Sequence, residues 1–279
     1  MSSPSRSNRL RVLWWLPVYY LIVVAAAYSL QNFLLYHPRK GTPERFESRA
    51  SEVGLRPWPR HMHNYRGWVS DSPTERSRAA AVVFHGNAGA ALDRQYYIPA
   101  LESLGCRIVL AEYPGYGARP GSPSERTFVE DGLETLRLAY EEFGAPLFLI
   151  GESLGCGVAA AIVGSGEAPV DGVALITPWD NLPDLAQSLY WFLPARLLVR
   201  DRYDSAANLR DFRGPVAVAL AERDEVIPPR HTMRLYETLL EPKRLWVFPE
   251  ARHNTWPSHP DAPWWSELLE YLLTEVPDP

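Results

Sequence analysis

Ser153 is the residue in this chain that its neighbours best equip to act as a nucleophile. It stands in Gly151-Glu152-Ser153-Leu154-Gly155, directly after the apolar run Leu147–Ile150 and shortly before the small-residue stretch Val158–Val163. An apolar strand, a sharp turn and a small-residue helix hold a hydroxyl at the tip of a strained bend. The flanking glycines fit that geometry, because a β-carbon at either position would collide with the neighbouring strand or helix.

A serine hydroxyl needs a base to take its proton, and the base needs a carboxylate to hold its tautomer. On such an elbow the acid and then the histidine follow the serine along the chain. Pro215–Ala221 reads as a buried strand and opens into Glu222-Arg223-Asp224-Glu225, a turn where an acid would hang. The next strand, Arg244–Phe248, leads into the loop carrying His253. Ser153 is thus the expected nucleophile, His253 the general base and Asp224 its orienting acid. Asp180, just beyond the strand-like run Gly172–Thr177, is the alternative acid. Of seven histidines, only His253 and His259 follow the last strand, and His259 lies in a Pro-rich loop. His61 and His63 form a His-x-His pair in a strand-like stretch, with no companion cluster of metal-ligating residues, so a structural role is expected.

Negative charge developing on a carbonyl oxygen needs backbone N–H donors. Leu154, directly after the nucleophile, supplies one. The second is expected from His85-Gly86-Asn87-Ala88-Gly89, the Gly-rich loop after the strand Ala79–Phe84, with Asn87 as the donor and Ala88 as the alternative. A second Gly-rich loop, Glu112-Tyr-Pro-Gly-Tyr-Gly117, follows the strand Arg107–Ala111.

His-Gly-Asn-Ala-Gly, Tyr-Pro-Gly-Tyr-Gly, Gly-Glu-Ser-Leu-Gly and the Asp224–His253 pair together resemble the serine α/β-hydrolases. The likeness is greatest to single-pass, membrane-anchored α/β-hydrolase domain proteins. It covers nearly the whole chain, including Gln31–Pro38. The resemblance implies a lipid, ester or thioester hydrolase that works through an acyl-enzyme and needs no cofactor or metal. It maps nucleophile, acid and base onto Ser153, Asp224 and His253.

The elements that must position these residues are legible in outline. A chain of 279 residues suits one large α/β domain, and alternating strand-like and helical runs argue for a mostly parallel sheet covered on both faces. A helix is expected over 123–142, with Ser122 as N-cap, Pro123 in the first turn and Glu125 completing a capping box. Further helices are expected near Leu92–Leu104, Pro229–Leu240 and Pro263–Leu273. The 26 prolines gather in loops such as Pro57–Pro59 and Pro257–Pro263.

Val12–Tyr36 holds no Lys, Arg, Asp or Glu, enough apolar chain for a span of about 20 residues. Trp14, Trp15, Tyr19 and Tyr20 resemble an interfacial belt, and Pro17 is expected near the helix start. The resulting division is a tail at 1–11, an anchor at 12–36 and a hydrolase domain at 37–279. A cleaved signal peptide is the alternative, since Ala25-Ala26-Ala27 offers small residues. The short tail with Arg6, Arg9 and Arg11 favours a cytoplasmic N-terminus, and so a catalytic domain on the periplasmic or lumenal side.

The net charge of −5 and the lack of a basic stripe give no reason to expect nucleic acid. Cys106 and Cys156 read as small buried hydrophobes outside any disulfide framework. A cap insertion at about 182–213 carries Leu189–Val199, whose aromatic and aliphatic side chains suit an acyl pocket. Trp191, Phe192 and Tyr116 are the candidate pocket residues. The alternatives are a helix that simply packs on the core and, at the level of function, a membrane-tethered binding or scaffold protein without turnover.

Overall fold

The computed structural model describes residues 6–71, 77–144 and 146–275. Its centre is an eight-stranded sheet of β1 (Leu55–Trp58), β2 (Gly67–Ser70), β3 (Ala79–Phe84), β4 (Cys106–Ala111), β5 (Leu147–Glu152), β6 (Gly172–Ile176), β7 (Val216–Ala221) and β8 (Lys243–Phe248). The strand order is β8-β7-β6-β5-β3-β4-β2-β1. β1 with β2 and β2 with β4 run antiparallel, and every other pairing is parallel. β3, β4, β5, β6 and β7 are buried along their whole length, which is why they read as apolar runs broken by Arg107 in β4 and Glu152 at the end of β5 alone. Their side chains still alternate. Ala80, Val82 and Phe84 face one helical layer, and Ala79, Ala81 and Val83 the other. The edge strand β8 begins with Lys243 and Arg244 and is only partly buried, a composition that discourages edge pairing.

Helix α1 (Arg6–Leu35) is followed by α2 (Pro43–Glu52), α3 (Tyr97–Glu102), α4 (Glu125–Phe143) and α5 (Leu154–Ser165). α4 and α5 pack on one face of the sheet, with α2 and α3 on the other. The cap insertion carries α6 (Leu182–Leu189), α7 (Ala195–Leu198) and α8 (Ser205–Asn208), and α9 (Pro229–Thr238) and α10 (Trp264–Thr274) complete the fold. The later part of the insertion belongs to the core, since Tyr203 is fully buried and lies where a side chain on Gly157 would stand.

Several local expectations change. The helix foreseen over Leu92–Leu104 divides into a 3₁₀ turn, Ala91–Arg94, and α3. Pro17 lies inside α1, whose regular structure already runs from Arg6. His61 and His63 sit in the turn between β1 and β2 with their rings stacked at 5.6 Å, outside either strand. The N-cap of α4 is Ser124, two residues later than Ser122, because its Oγ accepts from the Thr127 N–H at 3.1 Å. Glu125 is released from any capping box. Its carboxylate accepts from the backbone N–H groups of Arg202 and Tyr203 and so ties the cap insertion to α4.

This shift of one N-cap is measurable. Ser124→Ala removes the acceptor at the start of α4 and is expected to cost about 1 kcal/mol. Ser122→Ala, which leaves the carbonyl used by Thr127 in place, is expected to melt with the wild type. Equal losses in thermal melts of the two variants would contradict the assignment.

Candidate active site

β5 ends at Glu152 and α5 begins at Leu154, so Ser153 makes the turn by itself. Its φ of 53° lies in the left-handed region that few side-chain-bearing residues adopt. The neighbours hold it there. Its N–H donates to Ile176 O and its carbonyl accepts from Cys156 N–H, each at 2.9 Å. The two glycines are sterically required. A β-carbon at Gly155 would stand 1.9 Å from the carbonyl oxygen of Phe84, and one at Gly151 2.6 Å from the backbone of Cys156. Cys156 does more than fill space, since its thiol lies 3.2 Å from the carbonyls of both Gly151 and Ile176. Burial pushes that thiol well above its usual range, keeping it a neutral donor.

His253 Nε2 lies 2.9 Å from Ser153 Oγ, and His253 Nδ1 lies 2.7 Å from Asp224 Oδ2. The other oxygen of Asp224 accepts from the N–H groups of Val226 (2.8 Å) and Ile227 (2.7 Å), which fixes the carboxylate in its loop. A carboxylate can only accept, so the proton of a neutral imidazole sits on Nδ1 and Nε2 faces the hydroxyl as acceptor. All three side chains are buried.

Asp180, the alternative acid, is occupied elsewhere. It pairs with His231 Nδ1 at 2.7 Å, and His231 Nε2 lies 3.0 Å from Ser188 Oγ. This second Ser–His–Asp relay sits on a regular helix, and the Ser188 hydroxyl also lies 2.9 Å from Leu185 O. It ties α6 to α9. Burial pushes the Asp180 carboxyl up, but the His231 hydrogen bond and the backbone N–H groups of Asn181 and Asp180 together outweigh it and leave the group below its usual range.

The expected oxyanion donors, Asn87 and Leu154, both border the cavity above Ser153. Their backbone N–H groups make no hydrogen bond among the described residues. Asn87 is clamped from several sides. His85 Nδ1 lies 2.7 Å from Gly86 O, and because carbonyl and N–H oppose one another in a trans peptide, that bond aims the Asn87 N–H the other way. The Asn87 carbonyl accepts from His37 N–H and from the hydroxyl of Tyr116. Tyr116 is therefore not a pocket residue. It is fully buried against Phe128 and Tyr113 and orients the loop from beneath.

The cavity measures about 260 Å³. Asn87, Ser153 and Leu154 form its floor, Val226 and Ile227 one side, and Leu182, Leu185, Leu189 and Leu193 of the cap insertion its roof. Trp191 and Phe192 do not line it. They follow the end of α6, beyond its apolar stripe, and point outward, with Trp191 80% exposed. Among the described residues no cluster of His, Cys, Asp or Glu is arranged to hold a metal ion.

Sequence reasoning passed over Glu152, the buried charge beside the nucleophile. Its carboxylate receives the Arg94 guanidinium bidentately at 2.8–3.1 Å and the Tyr96 hydroxyl at 2.9 Å. Arg94 belongs to the 3₁₀ turn after the Asn87 loop, so the pair locks that loop to the elbow. The available signal was an acid at the end of an otherwise apolar strand, which must find a partner when buried.

A family described as serine aminopeptidase, S33, matches residues 75–205. An uncharacterized protein of Mycobacterium tuberculosis is 30% identical over 259 residues, 91% of each chain. A lysophosphatidylserine lipase of Danio rerio is 31% identical over 190 residues, 61% of this chain and 50% of that protein. In fold, the chain is similar to the Pyrococcus furiosus esterase Pf2001, with a TM-score of 0.60 and 16% identity over 87% of this chain and 98% of that one.

Glu152 also sets a pH dependence. Burial raises its carboxyl, but the charge and hydrogen bonds of Arg94 prevail and hold it below its usual value of 4.5. A carboxyl lowered in the folded state stabilises above its unfolded value and loses that contribution as pH falls through the folded one. Glu152→Gln strands the Arg94 charge and is expected to cost about 3 kcal/mol at pH 7. The gap from wild type should narrow in melts carried below about pH 4. A gap of constant size would refute the role given to this ion pair.

Proposed function

The chain belongs to the α/β-hydrolase family, and from that membership we propose that it is a serine hydrolase cleaving carboxylic esters or thioesters of lipid-like acyl groups. The observation carrying this reading is the unbroken relay from Ser153 Oγ through His253 to Asp224. It lies on the floor of an apolar cavity, beside two backbone donors left unpaired among the described residues.

In this reading Ser153 Oγ attacks the carbonyl carbon while His253 Nε2 takes its proton. The oxyanion is received by the N–H groups of Asn87 and Leu154, a contribution worth about 2.7–4 kcal/mol for each donor. His253 then gives its proton to the departing alkoxide or thiolate, leaving an acyl-Ser153. A water molecule, deprotonated by the same nitrogen, attacks that ester, and the returning proton restores the serine and frees the acid. Asp224 holds the imidazole tautomer and stabilises the imidazolium throughout.

The helix Trp15–Leu35 is long and apolar enough to cross a membrane, and it serves here as the anchor. With Arg6, Arg9 and Arg11, which precede the span, on the cytoplasmic side, the domain faces the periplasm or lumen.

A fluorophosphonate probe tests the reading. Wild type should label, and Ser153→Ala should not. Asp224→Asn should slow turnover by about 10⁴-fold, because the wrong imidazole tautomer then faces the serine. Asp180→Asn, which disturbs the His231 relay only, should still label. A folded wild type that takes no probe and turns over no ester would make the protein a tethered binding module. A labelling defect in Asp180→Asn comparable to that in Asp224→Asn would unseat the choice of acid.

A further inference from the structure

The cavity above Ser153 has one wall that belongs to neither the sheet nor the cap insertion. Ala27, Gln31, Leu34 and Leu35 of α1 line it directly. Ala27, Gln31 and Leu35 form one half-buried helical stripe with Leu34 at its exposed edge, whereas Leu30 and Phe33 are exposed and take no part in the lining. The stripe is fastened along its length. Asn87 Nδ2, on the loop of the expected oxyanion donor, lies 2.9 Å from Leu35 O at the helix end. Arg200 N–H donates to Gln31 Oε1 at 2.9 Å, and its guanidinium donates to Tyr28 O at 2.7 Å and stacks 4.4 Å from the Tyr28 ring. Further toward the N-terminus, the hydroxyl of Tyr20 donates to Phe192 O of the cap insertion at 3.1 Å.

Resting on the reading above, we infer that the apolar helix is a wall of the acyl-binding site, and that the acyl chain of a bilayer lipid reaches Ser153 along it, beneath the cap insertion. The placement of the charged and aromatic groups carries this. Arginine paired with tyrosine settles at the headgroup level of a membrane, which puts Arg200 and Tyr28 near that boundary. Tyr20 lies eight residues nearer the N-terminus, about 12 Å along the axis at 1.5 Å per residue. The cap insertion follows the helix that far. Its tip therefore shares the membrane with α1, and the residues it shows there are apolar: Tyr190, Trp191, Phe192 and Leu197 are all exposed. The outward direction of Trp191, Phe192 and Leu197, unexplained by the pocket, is the one that a hydrocarbon surface favours. A lipid whose acyl chain already lies between these aromatic residues and α1 meets the cavity without crossing water.

Full-length protein in liposomes separates this inference from the hydrolase reading. Ala27→Trp places an indole in the cavity, and Leu30→Trp places one at an exposed position outside its lining. The ratio of palmitoyl to acetyl p-nitrophenyl ester hydrolysis should fall about tenfold or more in Ala27→Trp, with fluorophosphonate labelling retained. In Leu30→Trp the ratio should match wild type. Equal ratios in both variants, with labelling intact, overturn the inference and leave the serine chemistry standing. An unlabelled wild type removes the serine chemistry, and the inference with it. A second measurement needs no substitution. A long-chain fluorophosphonate with a terminal diazirine, photolysed on wild type, should crosslink to the segment Ala27–Leu35, and crosslinks confined to the cap insertion and the sheet overturn the inference.

Discussion

The contact on which the site depends is between two backbones. Gly155 lies so close to the Phe84 carbonyl that no side chain fits between them, and this approach sets the height of α5 above β3. Two consequences follow from that height. Ser153 is driven into a left-handed conformation, a strain of about 1–3 kcal/mol that the bonds to Ile176 O and from Cys156 N–H offset. Leu154 N–H is also brought level with the loop that begins after Phe84, because both are referred to the same carbonyl. The separation of the two expected oxyanion donors is therefore a property of strand and helix packing, and it does not rely on mobile loops.

Buried acids around this frame are sorted by the partner each one has. Glu152 faces Arg94, whose guanidinium keeps its proton under all working conditions, so the pair is a fixed brace between elbow and loop. Asp224 and Asp180 each face a histidine, which can gain and lose a proton. Those two relays match almost atom for atom and differ in what surrounds the serine. Ser188 sits within α6 with its hydroxyl also shared with Leu185 O, whereas Ser153 opens onto the cavity beside unpaired N–H donors. Chemistry requires the second setting. A Ser–His–Asp relay is common hydrogen bonding until a carbonyl carbon can reach the hydroxyl and its oxygen has somewhere to go.

Much of this was visible in the residues. The apolar runs of β3 to β7 appear within two residues of their bounds, because strands buried on both faces carry few polar side chains. Ser153, Asp224 and His253, chosen from loop positions after strand ends, are the three that the structure brings together. What stayed hidden depended on side-chain direction or on partners distant in sequence. Trp191 and Phe192 look like pocket residues by type, yet they lie past the helical stripe that decides which way α6 faces. Tyr116 was placed by a short motif that says nothing of the carbonyl its hydroxyl meets. Ser122 and Ser124 differ by one residue pair in a Pro-Ser-rich turn, where only φ and ψ choose the N-cap. Glu152 needed Arg94, 58 residues away, before its burial made sense.

The apolar helix links these levels. A tether whose only task was to hold a domain at a membrane would need no register with it, and a flexible stretch after Leu35 would serve. Here the chain does the opposite. Leu35 O is bonded by Asn87, His37 N–H bonds the Asn87 carbonyl, and His37–Pro38 pairs in parallel with Ala88–Gly89. The segment leaving the helix is thus built into the same loop that offers the second N–H donor at Ser153. Tyr36, next in line, is buried and gives its hydroxyl to Asp201, which itself borders the cavity. Turning α1 about its axis would move the Asn87 loop and the cavity wall together. Such rigid coupling is costly in conformational freedom and is justified only if the position of the helix matters to what the cavity holds.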